Sequence, residues 1–497
     1  MDNYQRINIK DAPKGFKLLL ILLPAVGYFL LSPELDNDFF FLYKTGEYIV
    51  NSGFPFKDFL SMHTNMDIVV QQWLTDVIFY ELYSRLSLFG IGIFIFVCYT
   101  VYAFFTYKLC RLICDNWFFA ALCALLSDIF IAVVYMATRP HALSLTLFVI
   151  ELFALESFIK TKKKGYLVII PFVSLLLINV HAAMWPLMFV FAGPYALQAL
   201  PFKFKKIRQT PVCSFPWLAG TGIISLALGF VNPYGVKAMA YVFTSFGYKE
   251  INILINEMKP TSLDSSFGAL FFAQLIILVA VIAATRFKSF SLRHVLLFGG
   301  TVLLALMNIK SIGLFFALGV PAYSYYFNGA DFSIRLDSTP SDPKKRKLRA
   351  ALCVIAGALC AVMLFIAATY REPTRESLEE YKSLDKAVDY LEKEEGEITL
   401  FTGFDYGQYL EYKGFHPYID GRAEIFLKDN NHEYDYLKEY VLVTRGYTNY
   451  REFTDKYGFN YLIVRENEPA LYSGLLYDDD YEQLYKGKDF ILFRLKG

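Results

Sequence analysis

The sequence predicts a polytopic α-helical membrane protein that carries an extracytoplasmic α/β domain after its last membrane span. Three observations lead to this prediction. Of the 497 residues, 55% are hydrophobic and 18% aromatic. Only 19% are charged, which is fewer than in typical soluble domains. Long apolar stretches recur through the first three quarters of the chain. A soluble enzyme and a disordered scaffold both fit this composition poorly, and a net charge of +1 gives no basis for binding nucleic acid.

The charges divide the chain into two parts. Residues 370–497 contain 17 Lys and Arg against 27 Asp and Glu, whereas residues 1–369 contain 31 against 20. We therefore predict a transmembrane domain over 1–369 and an acidic, water-soluble domain over 370–497, which is an ordinary length for one domain. All seven cysteines lie in the first part, where we interpret them as small residues of the membrane core. The second part has no cysteine with which to build a disulfide framework or a cysteine zinc site.

The apolar stretches have the length of membrane spans. About 20 apolar residues cross the hydrocarbon core, and about eleven such spans are predicted. They lie at 16–31, 90–108, 118–136, 142–158, 165–181, 185–201, 215–231 and 267–285, with two in 295–327 and one at 350–369. No cleavage site follows the first stretch, where Pro33-Glu34 comes instead, so we interpret it as a span and not as a cleaved signal peptide.

Basic residues fall in every second loop and set the predicted orientation. The clusters are Arg6–Lys17, Lys108–Arg111, Lys160–Lys164, Lys203–Arg208, Arg286–Arg293 and Lys344–Arg349. Because short basic loops stay in the cytoplasm, we predict a multi-pass protein of the cell membrane with a cytoplasmic N-terminus and an extracytoplasmic C-terminal domain. This topology requires a tight hairpin near residues 308–311. A single tilted helix over 295–327 is the alternative, and it would place the basic segment 344–349 outside.

The first outer loop, residues 32–89, is longer than a simple connection between two spans requires. It opens with Asp36-Asn37-Asp38 and continues with an amphipathic helix to about Val50. Asp58 and His63 follow, and a second amphipathic stretch runs from Gln71 to about Leu88. We predict that both helices lie on the membrane surface.

Other polar residues are predicted at the same outer ends of the spans. They are Arg139 and His141, Asn179 and His181, Asn232 and Tyr234, Glu257, and Lys310. Each has an ordinary alternative, since an Asp can cap a helix and an Arg can reach lipid headgroups. Together they favour one site, because ionisable groups in a bilayer are costly and tend to mark function. A carboxylate there can act as general base, and Arg139 and Lys310 can neutralise a lipid-linked phosphate.

These motifs resemble the GT-C superfamily of glycosyltransferases that use polyprenyl-phosphate sugars, and more narrowly a poorly characterised bacterial branch of it. The matching segments are Asp38-Phe39-Phe40 with Gly46, Gly53-Phe54-Pro55, Gln72-Trp73-Leu74, Arg139-Pro140-His141, Asn179-Val180-His181-Ala182, Asn232-Pro233-Tyr234-Gly235 and Tyr418-Ile419-Asp420-Gly421-Arg422. The resemblance assigns the chemistry to Asp38, with Asp36 second. Phe39-Phe40 stand where Trp-Trp often follows that Asp.

The resemblance implies transfer of a hexosyl or pentosyl group from a polyprenyl phosphate to an envelope glycan, glycolipid or protein on the outer face. The residues expected to bind the substrate or the lipid phosphate are Arg139, His141, His181, Lys310, Glu257, Gln72, Trp73, Asn232 and Tyr234. No cofactor and no metal-binding residue is predicted, although Asp36, Asp38 and Glu257 offer oxygen ligands suited to a divalent metal.

The C-terminal part alternates helical and strand patterns and predicts a small α/β sandwich. Helices are expected at 376–395, 406–413, 433–443 and 449–457, and strands at 398–401, 418–419, 459–464 and 490–494. Tyr406, Asp420 and Arg422 follow strand ends, where α/β folds place ligands, so they are candidates for binding the acceptor. A turn that needs glycine explains Asp420-Gly421 equally well. Asp478-Asp479-Asp480 is interpreted as a solvated acidic turn.

Two other function classes stay open at this stage. A lipid or solute transporter, or a flippase, also has intramembrane charges and Gly- or Pro-broken helices, but here the polar residues cluster at the outer end and no repeat is visible. A non-catalytic envelope-assembly protein with a transferase-like fold is the other alternative. Enzymatic activity is implied only by the superfamily resemblance.

Overall fold

The computed structural model describes residues 35–204, 207–209, 211–245, 248–284, 291–329 and 372–496. The predicted spans at 16–31 and 350–369 and the basic segment 344–349 lie outside these described residues. The first part of the described chain is helical, and residues 372–496 mix helices with a small sheet.

The helical part consists of apolar helices joined by short turns. Its longer helices are α1 (Phe39–Ser52), α2 (Trp73–Ile113), α3 (Trp117–Val134), α4 (His141–Thr161), α5 (Ile169–Val180), α6 (Trp185–Gln198), α7 (Phe215–Leu228), α8 (Ser266–Ala284) and α9 (Leu292–Met307). A two-stranded hairpin of β1 (Phe202–Phe204) and β2 (Ile207–Gln209) lies between α6 and α7.

These helices coincide with the predicted apolar stretches. Among the described residues, α2 and α4 are long and apolar enough to cross a membrane. Apolar segments of 10–17 residues form much of α3, α5, α7, α8 and α9. The number of about eleven spans therefore stays a prediction.

The outside of the helical part is apolar. Large exposed hydrophobic side chains are found on α2, α5, α7, α8 and α9, for example Phe104, Phe172, Ile223, Ile276 and Leu303. Soluble monomers rarely expose apolar surface on this scale. Hydrocarbon contact requires such a surface, together with backbone groups that are satisfied within helices.

Helix α2 is two helices joined at a kink. Ser87 has φ 52° and ψ −146°, which is not helical. Gly90 follows one turn later, where a Cβ atom would lie 2.6 Å from the carbonyl oxygen of Leu82. The kink separates the amphipathic segment that begins at Trp73 from the apolar segment that follows, close to the predicted boundary at Leu88.

The segment 295–327 turns back on itself as predicted. Helix α9 ends at Met307, and the Asn308 side chain accepts a hydrogen bond from the Ser311 N–H at 2.9 Å. A helical segment of Ile312–Leu314, a π-turn Phe315–Gly319 and Val320–Tyr323 then packs along α9. Gly319 permits this contact, because a Cβ atom there would lie 2.4 Å from Thr301 Oγ1.

The C-terminal part is an α/β structure. Its helices are α10 (Glu372–Leu391), α11 (Gly407–Tyr412), α12 (Tyr436–Thr444), α13 (Tyr450–Tyr457) and α14 (Pro469–Leu476). Its strands are β3 (Leu400–Thr402), β4 (Tyr461–Val464), β5 (Tyr481–Lys486) and β6 (Ile491–Leu495), in the order β3-β4-β6-β5. β3 and β4 are parallel and the other pairs are antiparallel.

Two sequence expectations for this part are corrected, and two further elements are found. The strand expected at 418–419 is absent from the described sheet, because only a single bridge between Leu400 and Pro417 forms there. Helix α14 and strand β5 were not predicted, since β5 is a half-exposed edge strand without a continuous apolar run. The acidic turn at 478–480 is not simply solvated, because Asp478 is buried and accepts a hydrogen bond from Tyr450 Oη at 2.6 Å.

Gly46 sets how closely α1 packs on α2. A Cβ atom at Gly46 would lie 2.1 Å from the carbonyl oxygen of Asp76. We predict that Gly46→Ala forces the two helices apart and destabilises the protein by about 1–3 kcal/mol, measured as thermal unfolding of the detergent-purified protein. Gly220→Ala in α7 is the control, because no atom lies within 4 Å of its added Cβ. Equal unfolding temperatures for the two variants would contradict the prediction.

Candidate active site

A cavity of about 360 Å³ lies where the helical part meets the C-terminal part. Its walls come from the first turns of α1 and α2, from the turns around residues 139–141 and 254–257, from Lys310, and from residues 404–425. The volume is within the range of small-molecule sites. Segments far apart in the sequence thus line one common cavity.

The Asp36-Asn37-Asp38 segment enters this site at the start of α1. The Asp36 N–H donates a hydrogen bond to Thr138 Oγ1 at 2.6 Å, and the Asp38 N–H donates to Asp36 Oδ1 at 3.1 Å. The Asn37 side chain instead hydrogen-bonds the Asp405 carbonyl and the Tyr381 hydroxyl of the C-terminal part. The two carboxylates and the amide between them therefore face different parts of the protein.

Arg139 is surrounded by three carboxylates. Its Nε lies 2.7 Å from Asp36 Oδ1 and 3.3 Å from Asp38 Oδ2, and its Nη1 lies 3.3 Å from both carboxylate oxygens of Glu257. One guanidinium thus faces three negative charges. The three carboxylates therefore outnumber the one positive charge that they share.

The pKa of Asp38 reflects this environment. Burial is the largest effect and, together with the neighbouring Asp36 and Glu257, it raises the pKa of Asp38 to about 6 against the opposing charges of Arg139 and Lys310. A carboxylate with a pKa near neutrality is suited to accept a proton during a reaction. Asp38 also lines the cavity.

Lys310 supplies the second positive charge at the cavity. In the part of the chain that the structure describes, its ammonium group makes no ion pair or hydrogen bond. The turn that carries it is held by Tyr135, whose hydroxyl donates to the carbonyl oxygens of Ile309 at 3.3 Å and Lys310 at 3.2 Å. Gly313 fits against the ring of that tyrosine.

Two histidines form one wall of the cavity. The rings of His141 and His181 are 4.7 Å apart and nearly perpendicular, and both residues are buried. His181 Nδ1 lies 2.8 Å from Ser144 Oγ. No described group hydrogen-bonds His141 Nε2. Each ring is thus oriented by the protein and keeps hydrogen-bonding capacity for a ligand.

Several other predicted residues support the site from outside the cavity lining. Trp73 Nε1 donates to Asn179 Oδ1 at 2.8 Å, and Asn179 in turn donates to the Val231 carbonyl at 2.9 Å. Asn232 closes its own turn by donating to the Gly229 carbonyl at 2.7 Å. Tyr234 Oη donates to the Pro55 carbonyl at 2.8 Å. These contacts hold the outer loop on the helices, while Gln72 does line the cavity, and the predicted binding roles stay predictions.

Arg422 joins the outer loop to the C-terminal part. Its guanidinium donates to Asp58 Oδ1 at 2.8 Å, to Asp420 at 2.5–2.9 Å, and weakly to Glu411 at 3.5 Å. Burial alone would raise the pKa of Asp58. The Arg422 guanidinium and the hydrogen bonds from Ser61 outweigh burial and hold this pKa below its usual value. Arg422 lines the cavity, whereas Asp420 lies behind it.

The same loop carries further contacts to the C-terminal part. His63 stacks on Tyr436 with ring centroids 3.7 Å apart, and burial lowers the pKa of His63 to about 4. The Met62 N–H donates to the Pro417 carbonyl at 3.1 Å, and His416 Nδ1 lies 2.8 Å from the Leu60 carbonyl oxygen. The C-terminal part is therefore packed on the loop and forms one wall of the cavity.

Tyr406 lies away from the cavity. Its hydroxyl donates to Glu380 Oε2 at 3.2 Å and accepts a hydrogen bond from Arg465 at 2.5 Å. These contacts attach α10 to the sheet. The acceptor-binding role expected for Tyr406 stays a prediction.

Asp76 belongs to the cavity but was not predicted. It is buried in the first turn of α2 and lines the cavity. The signal was present in the sequence, because Asp76 shares a helix face with Phe79 and Tyr83, three and seven residues later. A carboxylate on the buried face of an amphipathic helix is the sequence feature that marks Asp76 as a candidate site residue.

The three carboxylates considered for a divalent metal converge on Arg139 instead. Within the described ranges, no group of three His, Cys, Asp or Glu side chains is arranged to hold a metal ion. In this arrangement the guanidinium occupies the space between the carboxylates.

The chain resembles several solved membrane glycosyltransferases in structure. The oligosaccharyltransferase of Archaeoglobus fulgidus, tethered to an acceptor peptide with an NVT sequon, superposes with a TM-score of 0.54 at 13% identity over 91% of this chain and 69% of its own. ArnT from Cupriavidus metallidurans, bound to undecaprenyl phosphate, has a TM-score of 0.51 at 13% identity over 97% of this chain and 98% of its own. The chain has a GT-C-like fold.

A third neighbour is larger. The mycobacterial arabinofuranosyltransferase AftD superposes with a TM-score of 0.50 at 10% identity, covering 98% of this chain but only 40% of its own. The sequence matches no protein-family model and no curated protein. At these identities the likeness establishes the GT-C-like fold, and the chemistry has to be argued from the site.

Arg422 is predicted to stabilise the contact between the two parts. Replacing it in Arg422→Met leaves Asp58 and Asp420 buried without their partner, which should cost about 3–5 kcal/mol in thermal unfolding of the full-length protein. Lys413→Met is the control, because Lys413 makes a more exposed pair with Asp385 at 2.7 Å and such pairs contribute little. If Arg422→Met unfolds at the same temperature as Lys413→Met, the cluster does not hold the parts together.

Proposed function

We propose that this protein is a membrane glycosyltransferase that moves a sugar from a polyprenyl phosphate to an envelope acceptor at the outer face of the cell membrane. The observation that carries the proposal is the cavity in which Asp38, the two histidines and Lys310 meet. The GT-C-like fold supports it, since ArnT was solved with undecaprenyl phosphate and the oligosaccharyltransferase with an acceptor peptide.

Asp38 is the proposed general base. Its carboxylate accepts the proton of an acceptor hydroxyl as the hydroxyl oxygen forms a bond to the anomeric carbon of the donor sugar. The bond between that carbon and the phosphate oxygen breaks, and polyprenyl phosphate leaves with the bonding electron pair. Asp36 supports this role by accepting the Asp38 N–H and by sharing Arg139.

Lys310 is the proposed anchor of the lipid phosphate. Its ammonium group lines the cavity and is unpaired among the described side chains, whereas Arg139 is already shared by three carboxylates. We therefore assign Arg139 mainly to positioning Asp38 and Glu257, and the phosphate to Lys310 with His141 and His181 nearby. Neutralising the charge that develops on the leaving phosphate is the electrostatic contribution expected of Lys310.

The C-terminal part is proposed to complete the acceptor side of the cavity. Phe404, Gln408, Arg422 and Glu424 from this part line the cavity, and Glu424 accepts a hydrogen bond from Tyr241 Oη at 2.7 Å. An acceptor must therefore enter between the two parts.

The substitution Asp38→Asn is predicted to abolish transfer, because an amide cannot accept the acceptor proton as a base. Envelope glycans and glycolipids of deletion cells are compared by mass spectrometry with cells that express the wild-type protein or the variant. The product that wild type restores should be missing with Asp38→Asn, although the variant inserts at normal levels. Glu47→Gln on the same helix is the control, since Glu47 pairs with Lys44 away from the cavity. A normal product from Asp38→Asn favours a non-catalytic protein.

The same base predicts a pH dependence. Since the pKa of Asp38 is raised to about 6, the carboxylate is ionised above that pH and protonated below it. The transfer rate of purified protein, followed with the product so identified, should therefore fall about tenfold for each pH unit below 6 and level off above 7. A rate that is flat between pH 5 and 7 would contradict Asp38 as the base.

We further propose the multi-pass orientation that the basic loops indicate. Alkaline phosphatase fused after Gly497 of the full-length chain should be active, because the C-terminal part lies outside. The same reporter inserted in the basic segment 203–208 should be inactive, because that loop lies in the cytoplasm. If the reporter is active in segment 203–208 and inactive after Gly497, the true orientation is the opposite of the proposed one.

A further inference from the structure

Asp76 is a buried carboxylate whose oxygens have no partner. The residue is fully buried, and neither Oδ1 nor Oδ2 is hydrogen-bonded by any group in the described ranges. Burying an unsatisfied carboxyl group is unfavourable. The same residue lines the cavity, so a ligand in the cavity can satisfy it.

The position of Asp76 in the cavity is fixed by α1. Asp38 and Thr45 line the cavity from one face of this helix, and seven residues of helix span roughly 10 Å. Gly46, next to Thr45, packs on the Asp76 carbonyl. Asp38 and Asp76 therefore mark two ends of the wall that α1 and α2 form, with the ligand space between them.

The groups around Asp76 both donate and accept hydrogen bonds. Gln72, whose side chain carries an amide, lies one turn earlier on the chain and also lines the cavity. Arg422, whose guanidinium only donates hydrogen bonds, lines the same cavity. A sugar hydroxyl both donates and accepts, whereas an ammonium group only donates. The mixed set therefore suits neutral hydroxyls better than a cationic amino group.

We infer that Asp76 and Gln72 form a specificity subsite that binds the hydroxyl groups of a sugar ring. The inference rests on the proposed function and names the part of the cavity that distinguishes one sugar from another. Asp38 acts on the reacting hydroxyl and Lys310 holds the phosphate, while Asp76 and Gln72 recognise hydroxyls that do not react. The ring belongs to the donor or to a sugar acceptor, and the experiment separates these two sources.

The test measures lipid binding to the purified full-length protein in nanodiscs. The probes are undecaprenyl phosphate without sugar and undecaprenyl phosphates that carry glucose, mannose or 4-amino-4-deoxyarabinose. Wild type should bind at least one neutral-sugar lipid tighter than the bare lipid. Asp76→Asn should lose at least tenfold of that preference and bind the bare lipid unchanged, and Gln72→Ala should lose at least tenfold of the same preference. Glu151→Gln is the matched control, because Glu151 is equally buried and unpartnered in the described chain but does not line the cavity.

The remaining outcomes of this experiment decide whether the subsite belongs to the donor or the acceptor, and whether the inference or the proposed function fails. If the donor preference is unchanged but the KM for a sugar acceptor rises at least tenfold in Asp76→Asn with kcat retained, the subsite belongs to the acceptor. If neither quantity changes in a folded variant, or if only the amino-sugar lipid depends on Asp76, the inference is overturned. If wild type binds none of the lipids, the proposed function itself fails and this inference fails with it. If wild type binds undecaprenyl phosphate lipids but the variants keep both the sugar preference and the acceptor KM of wild type, the inference alone is overturned and the proposed function stands.

Discussion

The ion cluster around Arg139 is the interaction on which the candidate site depends. Asp36 and Asp38 come from the start of α1, Arg139 from the turn before α4, and Glu257 from a later turn. The guanidinium of Arg139 therefore links the start of α1, the turn before α4 and the later turn that carries Glu257, all at one end of the helices. Because three carboxylates share it, the cluster keeps excess negative charge, and this excess contributes to the raised pKa of Asp38. The same contacts that hold the helix ends together thus raise the pKa of the proposed base.

The motif residues divide into those that face the cavity and those that hold its walls. His141, His181 and Gln72 face it, whereas Trp73 and Asn179 bond to each other. Tyr234 reaches the backbone of Pro55, and Asn232 closes its own turn. A long outer loop cannot define a site unless it is fixed to the helices, because an unfixed loop loses conformational entropy on binding. We interpret these framework residues as the means by which the loop keeps a fixed position before a ligand arrives.

Much of the helical architecture could be predicted from the sequence, because apolar length and helix-breaking residues act locally. The hairpin at Asn308 and the boundary near Leu88 follow from such local signals. Asp76 is marked locally as a carboxylate on the buried face of an amphipathic helix, but its place in the cavity depends on Gly46 bringing α1 onto α2, a contact between distant residues. Strand β5 was missed for a related reason, because an edge strand is stabilised by β6 beside it and not by its own apolar pattern. The contact of Arg422 with Asp58 could not be predicted either, since the two residues lie 364 positions apart in the chain.

The placement of Arg422 has a consequence for how the two parts work together. Arg422 binds Asp58 of the outer loop and also lines the cavity, so the C-terminal part cannot move away without exposing a buried ion cluster and opening the site. Moving the parts away from each other would also undo the stacking of His63 on Tyr436 and the hydrogen bond from the Met62 N–H to the Pro417 carbonyl. Under the proposed function, an acceptor would therefore enter by an opening that leaves the Asp58–Arg422 pair intact. The C-terminal part is for this reason better understood as a fixed wall of the site than as a mobile module that delivers the acceptor.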